Sequence, residues 1–173
     1  QIMEEAQDLV KKALNVPSGY TVLFLQGGAS LAFTIAALNM MRNSKKAGYI
    51  NTGTWAKGAI NEAKAVGFDV NVFASSEDQN FNYIPKNYTI PSDLDFVHYT
   101  SNNTIFGTQF RETIQTNAPL VCDMSSDIFS QKIDVSKYDI IYAGAQKNLG
   151  PAGATLFIVK NDVLGKSTSP FMP

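Results

Sequence analysis

Several residues able to do chemistry stand at one kind of place in this sequence, just past the end of an apolar run or beside a helix start. Lys147 follows "IIYAGAQ", Asp123 follows "PLVC", Trp55 stands beside a helix start, and "QGGAS" (Gln26 to Ser30) follows "YTVLFL". A strand interior excludes an uncompensated ammonium group, so Lys147 is either a solvated turn residue or a group held in a site. A lysine drawn from water loses its proton more readily and becomes a usable amine nucleophile. Asp123 at a strand end either caps a turn or waits for a cationic partner. Trp55, the one tryptophan of the chain, either fills a core or offers a flat face for stacking. Small residues before a helix form a tight turn, and they also let an anion approach free N–H groups and the positive end of the helix dipole. "QGGAS" fits neither G-x-G-x-x-G nor G-x-x-x-x-G-K-[ST], which removes support for a dinucleotide or a nucleoside triphosphate.

Taken together, these groups are what pyridoxal phosphate requires. Its aldehyde needs a lysine, its pyridine nitrogen an acid, its ring a stacking face and its phosphate a set of N–H donors. The competing reading is a non-catalytic α/β scaffold in which Lys147 only serves a turn.

The elements that must position these residues are legible as alternating patterns. Ile2, Ala6, Leu9, Val10, Ala13 and Leu14 recur at helical spacing before the turn Pro17-Ser18-Gly19. "YTVLFL" then reads as a strand, "QGGAS" as a turn and "LAFTIAALNMM" as a helix. "AGYINTG", "TWAKGAINEAKAVG" and "DVNVFAS" repeat the strand and helix theme, and Ser76 to Asp95 reads as a connection with little regular structure. "DFVHYTSNNT", "PLVCDMSS", "DIIYAG" and "ATLFIVK" read as further strands. Continuous apolar strands alternating with helices predict an α/β fold, a three-layer α/β/α arrangement around a mostly parallel mixed sheet. Ligands of such sheets sit where strands end and helices begin.

Composition narrows the partners. The 173 residues are 45% hydrophobic and 17% charged, with net charge −1, enough for one domain and without a basic footprint for nucleic acid. One histidine, His98, and one cysteine, Cys122, make neither a His/Cys metal cluster nor an internal disulfide, so no metal is expected and the chain reads as cytoplasmic. No apolar run reaches the roughly 20 residues that span a bilayer, and the first residues do not form a signal peptide. The opening residues are already in helical register and lack an initiator Met, so a missing upstream segment is expected.

The stretches "YAGAQKNLGPAG", "VCDMSSDIFSQKIDVSKYD" and "NVPSGYTVLFLQGGASLAF" resemble the phosphoserine aminotransferase family of fold-type I pyridoxal-phosphate enzymes, along essentially the whole chain. The resemblance implies that Lys147 carries the cofactor, that Gln146 contacts its phosphate, and that Asp123 pairs with its pyridine nitrogen. It further implies that Trp55 stacks on the ring, that Thr104 bonds its phenolic oxygen, and that backbone amides of Ala29 and Ser30 hold the phosphate. Some family members carry a His-Gly-Gly-Gly-Arg loop where this chain has "QGGAS", so any role of that arginine does not carry over. The implied reaction is transamination between glutamate and 3-phosphohydroxypyruvate, giving 2-oxoglutarate and O-phosphoserine for serine biosynthesis, with a related substrate in pyridoxine biosynthesis. The implied partners are these small molecules and a second subunit in a homodimer. Residues 1–173 correspond to part of the cofactor-binding large domain, without the family's N-terminal segment and small C-terminal domain, so the chain alone is expected to be weakly active or inactive. Cysteine desulfurases and alanine–glyoxylate aminotransferases share the lysine, aspartate and aromatic logic, but the lysine motif favours the phosphoserine type. Ser125 and Ser126 are further candidates for orienting Asp123.

Overall fold

A computed structural model describes residues 1–171; the last two, Met172 and Pro173, including the domain's expected end at Pro173, lie outside the described residues. In chain order the elements are α1 (Ile2–Ala13), β1 (Tyr20–Gln26), α2 (Gly28–Met40), β2 (Lys46–Asn51), α3 (Thr54–Ala65) and β3 (Asp69–Ser75). They continue with β4 (Phe96–Thr100), β5 (Asn102–Asn103), β6 (Thr108–Gln109), β7 (Leu120–Asp123), β8 (Ile140–Gly144), the one-turn α4 (Ala145–Asn148) and β9 (Ala154–Lys160).

Seven strands form one sheet in the order β1-β9-β8-β7-β4-β2-β3. β3, β2, β4, β7 and β8 are parallel, while β9 runs antiparallel to both β8 and β1. The fold is α/β with a mixed, mostly parallel sheet. β4, β7 and β8 are buried at every position, which explains their unbroken apolar runs, since a strand covered on both faces has no solvent side to make polar.

One face of the sheet packs against α2 and α3 through Ala32, Phe33, Ala36, Ala59, Ile60 and Ala63, where small side chains let the helices lie close. The other face is covered by α1, through Val10, by Leu14 just after it, and by irregular segments that contribute Phe110, Ile114, Ile128, Val135 and Tyr138. The alternation of strand and helix therefore stops after β3: the links to β4, β7 and β8 contain only turns, single 3-10 turns and the small β5/β6 hairpin. The expected strand 95–104 also ends early. Ser101 still donates its N–H to Asp123 O, but its hydroxyl binds Asp127 and the chain leaves the sheet for the hairpin.

β2 runs on through α3 to β3 on one side, whereas β4 returns on the other side of β2. Connections leaving neighbouring strands in opposite directions open a crevice at the carboxyl ends of the strands. Among the described residues, no helix is long and apolar enough to cross a membrane.

Candidate active site

At the carboxyl ends of the strands lies a cavity of about 290 Å³, lined by Gly27 to Ser30 and Phe33 of the β1–α2 unit, Trp55, Asp123 with Ser125, Gln146 with Lys147, and Ala152 with Gly153. Six of the seven residues singled out from the sequence line it: Ala29, Ser30, Trp55, Asp123, Gln146 and Lys147. The seventh, Thr104, stands on the β5/β6 turn outside the lining, and its Oγ1 accepts a hydrogen bond of 2.7 Å from Lys147 Nζ.

Each group is held by its element. β1 ends at Gln26 and the chain turns into α2 within one residue, Gly27, whose φ is 108°. A side chain there is strained by φ and would collide with Leu31, so glycine is required. No side chain caps α2, and the N–H groups of Gly28, Ala29 and Ser30 find no acceptor among the described residues. Three free donors at the positive end of a 13-residue helix favour an anion. The helix begins three residues earlier than the apolar pattern from Leu31 suggests, because small residues at its start carry no periodicity.

Gly144 lets the lysine turn approach that helix end. A Cβ on Gly144 would lie 2.8 Å from Gln146 Oε1 and 3.3 Å from Ala29 N, so Gln146 folds back over Gly144 beside the start of α2. Sequence reading passed over this glycine, although a glycine closing an otherwise apolar strand is the usual mark of a close backbone approach.

Lys147 is exposed and yet lines the cavity, so of the two features set against each other in the sequence, a solvated turn and a group held in a site, the structure gives it both. Its ammonium is oriented by two contacts, Thr104 Oγ1 and the Trp55 ring, whose centroid is 5.2 Å away. Trp55 is itself 39% exposed, so its ring belongs to the cavity wall and not to the core.

Asp123 closes the floor and is buried, with 3% exposure. Its Oδ1 accepts from Ser125 N at 2.9 Å and from Ser125 Oγ at 2.6 Å, while Oδ2 accepts no hydrogen bond among the described residues. Burial pushes the carboxyl above its usual range, against the opposing effects of the two Ser125 hydrogen bonds and the Lys147 charge. A buried carboxylate with one free oxygen facing a cavity lacks a cationic donor. A protonated ring nitrogen is such a donor, the helix end suits a phosphate, and Trp55 suits a flat ring, so the residues present fit pyridoxal phosphate. Ser126 does not reach Asp123; it exchanges hydrogen bonds with Asn102 instead.

A different cavity, about 220 Å³, lies on the other face of the sheet behind Tyr138 and Asp127 and shares no residue with the first. It is more enclosed, but its buried carboxylate, Asp127, already accepts at both oxygens, from Ser101 and Gln109. Among the described residues no group of three or more His, Cys, Asp or Glu side chains is placed to hold a metal ion.

The family model described as aminotransferase class-V matches residues 1–173. A curated phosphoserine aminotransferase from Porphyromonas gingivalis is 58% identical over 173 residues, covering 98% of this chain and 48% of the relative. Among solved structures, phosphoserine aminotransferase from Bacillus circulans subsp. alkalophilus superposes with a TM-score of 0.92 at 41% identity, over 99% of this chain and 48% of that one. The phosphoserine aminotransferase of Trichomonas vaginalis, solved with pyridoxal phosphate bound, gives a TM-score of 0.89 at 34% identity, over 99% and 52%. The chain thus spans about half the length of the relatives it matches.

Proposed function

The chain belongs to the class-V aminotransferases, and from that membership and the site geometry we propose that it is part of a phosphoserine aminotransferase. The reaction is transamination between glutamate and 3-phosphohydroxypyruvate to give 2-oxoglutarate and O-phosphoserine, in serine biosynthesis. The observation that carries this reading is the convergence of Lys147, Asp123, Trp55 and the α2 N-terminus on one cavity. Relatives 58% identical and bearing that name supply the substrate class.

Pyridoxal phosphate, when bound, supplies an aldehyde for a primary amine and a ring that withdraws electrons from the substrate's Cα. The chain's own residues do the rest. With the cofactor bound, Lys147 Nζ would be the amine that holds it and the base placed to take the substrate's Cα proton. Thr104 Oγ1 and the Trp55 face hold that Nζ in place, and Trp55 presents its face to the ring. Asp123, whose Oδ2 accepts no hydrogen bond among the described residues, would hold a proton on the ring nitrogen and so favour negative charge at Cα. The N–H groups of Ala29 and Ser30, with Gly28 and the Gln146 side chain, receive the phosphate.

In this reading residues 1–173 form part of the cofactor-binding large domain. The groups that grip substrate carboxylate and phosphate come from the remainder of a longer polypeptide, and the second subunit of a homodimer supplies residues that reach the cofactor phosphate. The 173-residue chain alone then turns over weakly or not at all. A cytoplasmic enzyme with a related role in pyridoxine biosynthesis completes the proposal.

The test uses the full polypeptide that carries this chain. With pyridoxal phosphate added, it should convert glutamate and 3-phosphohydroxypyruvate to 2-oxoglutarate, and Lys147→Ala should abolish both turnover and the visible absorption of the bound cofactor. Turnover with alanine or cysteine but not with phosphoserine would reassign the substrate class.

A further inference from the structure

Ser125 occupies a position that the cofactor parts do not by themselves explain. It is buried, it lines the cavity, and its Oγ stands between two of the site's anchors. The Gly144 N–H donates to this oxygen at 3.0 Å, and the oxygen lies 2.6 Å from Asp123 Oδ1. With a lone pair of the hydroxyl engaged by Gly144, its single proton is directed at the carboxylate. The N–H of Ser125 donates to the same Oδ1 at 2.9 Å. One carboxylate oxygen therefore receives two donors, and the other is left facing the cavity.

Gly144 is the last residue of β8 and the N-cap of α4, which carries Lys147 three residues on. Whatever holds the Gly144 peptide sets the origin of the lysine turn. We propose that Ser125 is a positioning residue: its hydroxyl ties the Asp123 carboxylate to the start of the Lys147 turn, keeping Asp123 an acceptor with Oδ2 presented to the cofactor ring. This rests on reading the cavity as a pyridoxal phosphate site. Ser126, one residue on, provides the contrast, because its hydrogen bonds go to Asn102 and leave Asp123 alone. A purely local Asp-to-Ser turn would satisfy Asp123 and the Ser125 N–H without reaching a second strand connection, whereas here the hydroxyl spans from β7 to the end of β8.

The experiment uses the full polypeptide in two forms. In the cofactor-free form, the Asp123 carboxyl is titrated by carbon-13 NMR, its signal identified by its loss in Asp123→Asn. Hydrogen bonds to the ionised form lower a carboxyl pKa, so Ser125→Ala should raise that of Asp123 by about one unit. In the second form, pyridoxal phosphate is titrated by visible absorption, and Ser125→Ala should bind it about tenfold more weakly. Ser125→Thr, which keeps the hydroxyl, should stay close to wild type in both readings, as should Ser126→Ala. A Ser125→Ala protein with the wild-type Asp123 titration overturns the proposal, including the case in which cofactor affinity falls only in step with the urea midpoint. Equal cofactor affinity in wild type and Ser125→Ala also overturns it while leaving the cofactor reading intact. Wild-type protein that binds no pyridoxal phosphate overturns both.

Discussion

The two faces of the sheet are built on different principles. The α2/α3 face is closed by apolar volume, with Ala32, Ala36, Ala37, Ala59 and Ala63 letting the helices lie close and Phe33 set edge-on to Tyr142. The opposite face is closed largely by irregular chain, and hydrogen bonds between distant residues hold that chain in place. Tyr20 Oη donates to Tyr138 O at 2.7 Å, and the Tyr138 hydroxyl bonds those of Tyr99 at 3.0 Å and Thr113 at 2.8 Å. Ser101 and Gln109 donate to Asp127, and Asn148 donates to Ile128 O. Helices satisfy their own backbone groups, whereas irregular segments covering a core must find partners for each one they bury. The helical face thus depends on shape and burial, and the irregular face on donors and acceptors matched across the sequence.

The largest effect that separates the faces is a deletion of volume. Phe33→Ala should cost about 3–5 kcal/mol in urea unfolding, because the ring fills space between α2, β8 and the cavity wall. A loss below about 1 kcal/mol would mean that the helical face is not held by burial.

A second test uses pH, because burial on this face holds His98 uncharged. His98 is buried, its Nε2 is 2.8 Å from Tyr142 Oη, Nδ1 has no partner among the described residues, and desolvation pushes its pKa down to about 3. The unfolded chain then binds the proton more tightly than the folded one, so stability is lost as pH falls from the ordinary histidine range toward 3. Between pH 7 and pH 4 this group should remove about 3 kcal/mol from the unfolding free energy, and His98→Gln should flatten the profile over that range.

Asp123 carries the opposite sign. Its folded pKa is raised, chiefly by burial, so the folded state holds the proton more tightly and stability falls as pH rises through that window. Asp123→Asn should therefore stabilise the cofactor-free protein at pH 7, by about 1 kcal/mol, while weakening its hold on pyridoxal phosphate. A destabilised Asp123→Asn protein at pH 7 would show that the ionised carboxylate is a structural asset and not a cost borne for function.

On the irregular face the expected losses are smaller. Tyr138→Phe removes a hydroxyl shared by Tyr99 and Thr113 and should cost about 1–2 kcal/mol, with a double-mutant cycle against Thr113→Val showing coupling. Additive losses would break the contrast between the faces.

The same contrast explains what was legible in the sequence. α1, α3 and the buried strands announce themselves by spacing or by unbroken apolar runs, and the residues at strand ends follow from the rule that parallel sheets bind ligands there. The segments from Ser76 to Asp95 and from Ser101 to Pro119 carry no period, so neither their packing onto the sheet nor the β5/β6 hairpin that brings Thr104 to Lys147 could be read from pattern. The role of Gly144 and the two-sided hydrogen bonding of Ser125 depend on β7 and β8 being neighbours, a fact of topology that no local window contains. For Lys147 the sequence left a solvated turn and a held group side by side, since its exposure is decided by what stands above the strand ends.

The most direct measurement is borohydride reduction of the full polypeptide after incubation with pyridoxal phosphate, followed by peptide mapping by mass spectrometry. Reduction locks the cofactor onto the amine that carries it. The pyridoxyl label should appear on the peptide containing Lys147, in near-stoichiometric amount, and should vanish in Lys147→Ala. A label on another lysine, or a catalytically active protein that takes no label at Lys147, would contradict the account.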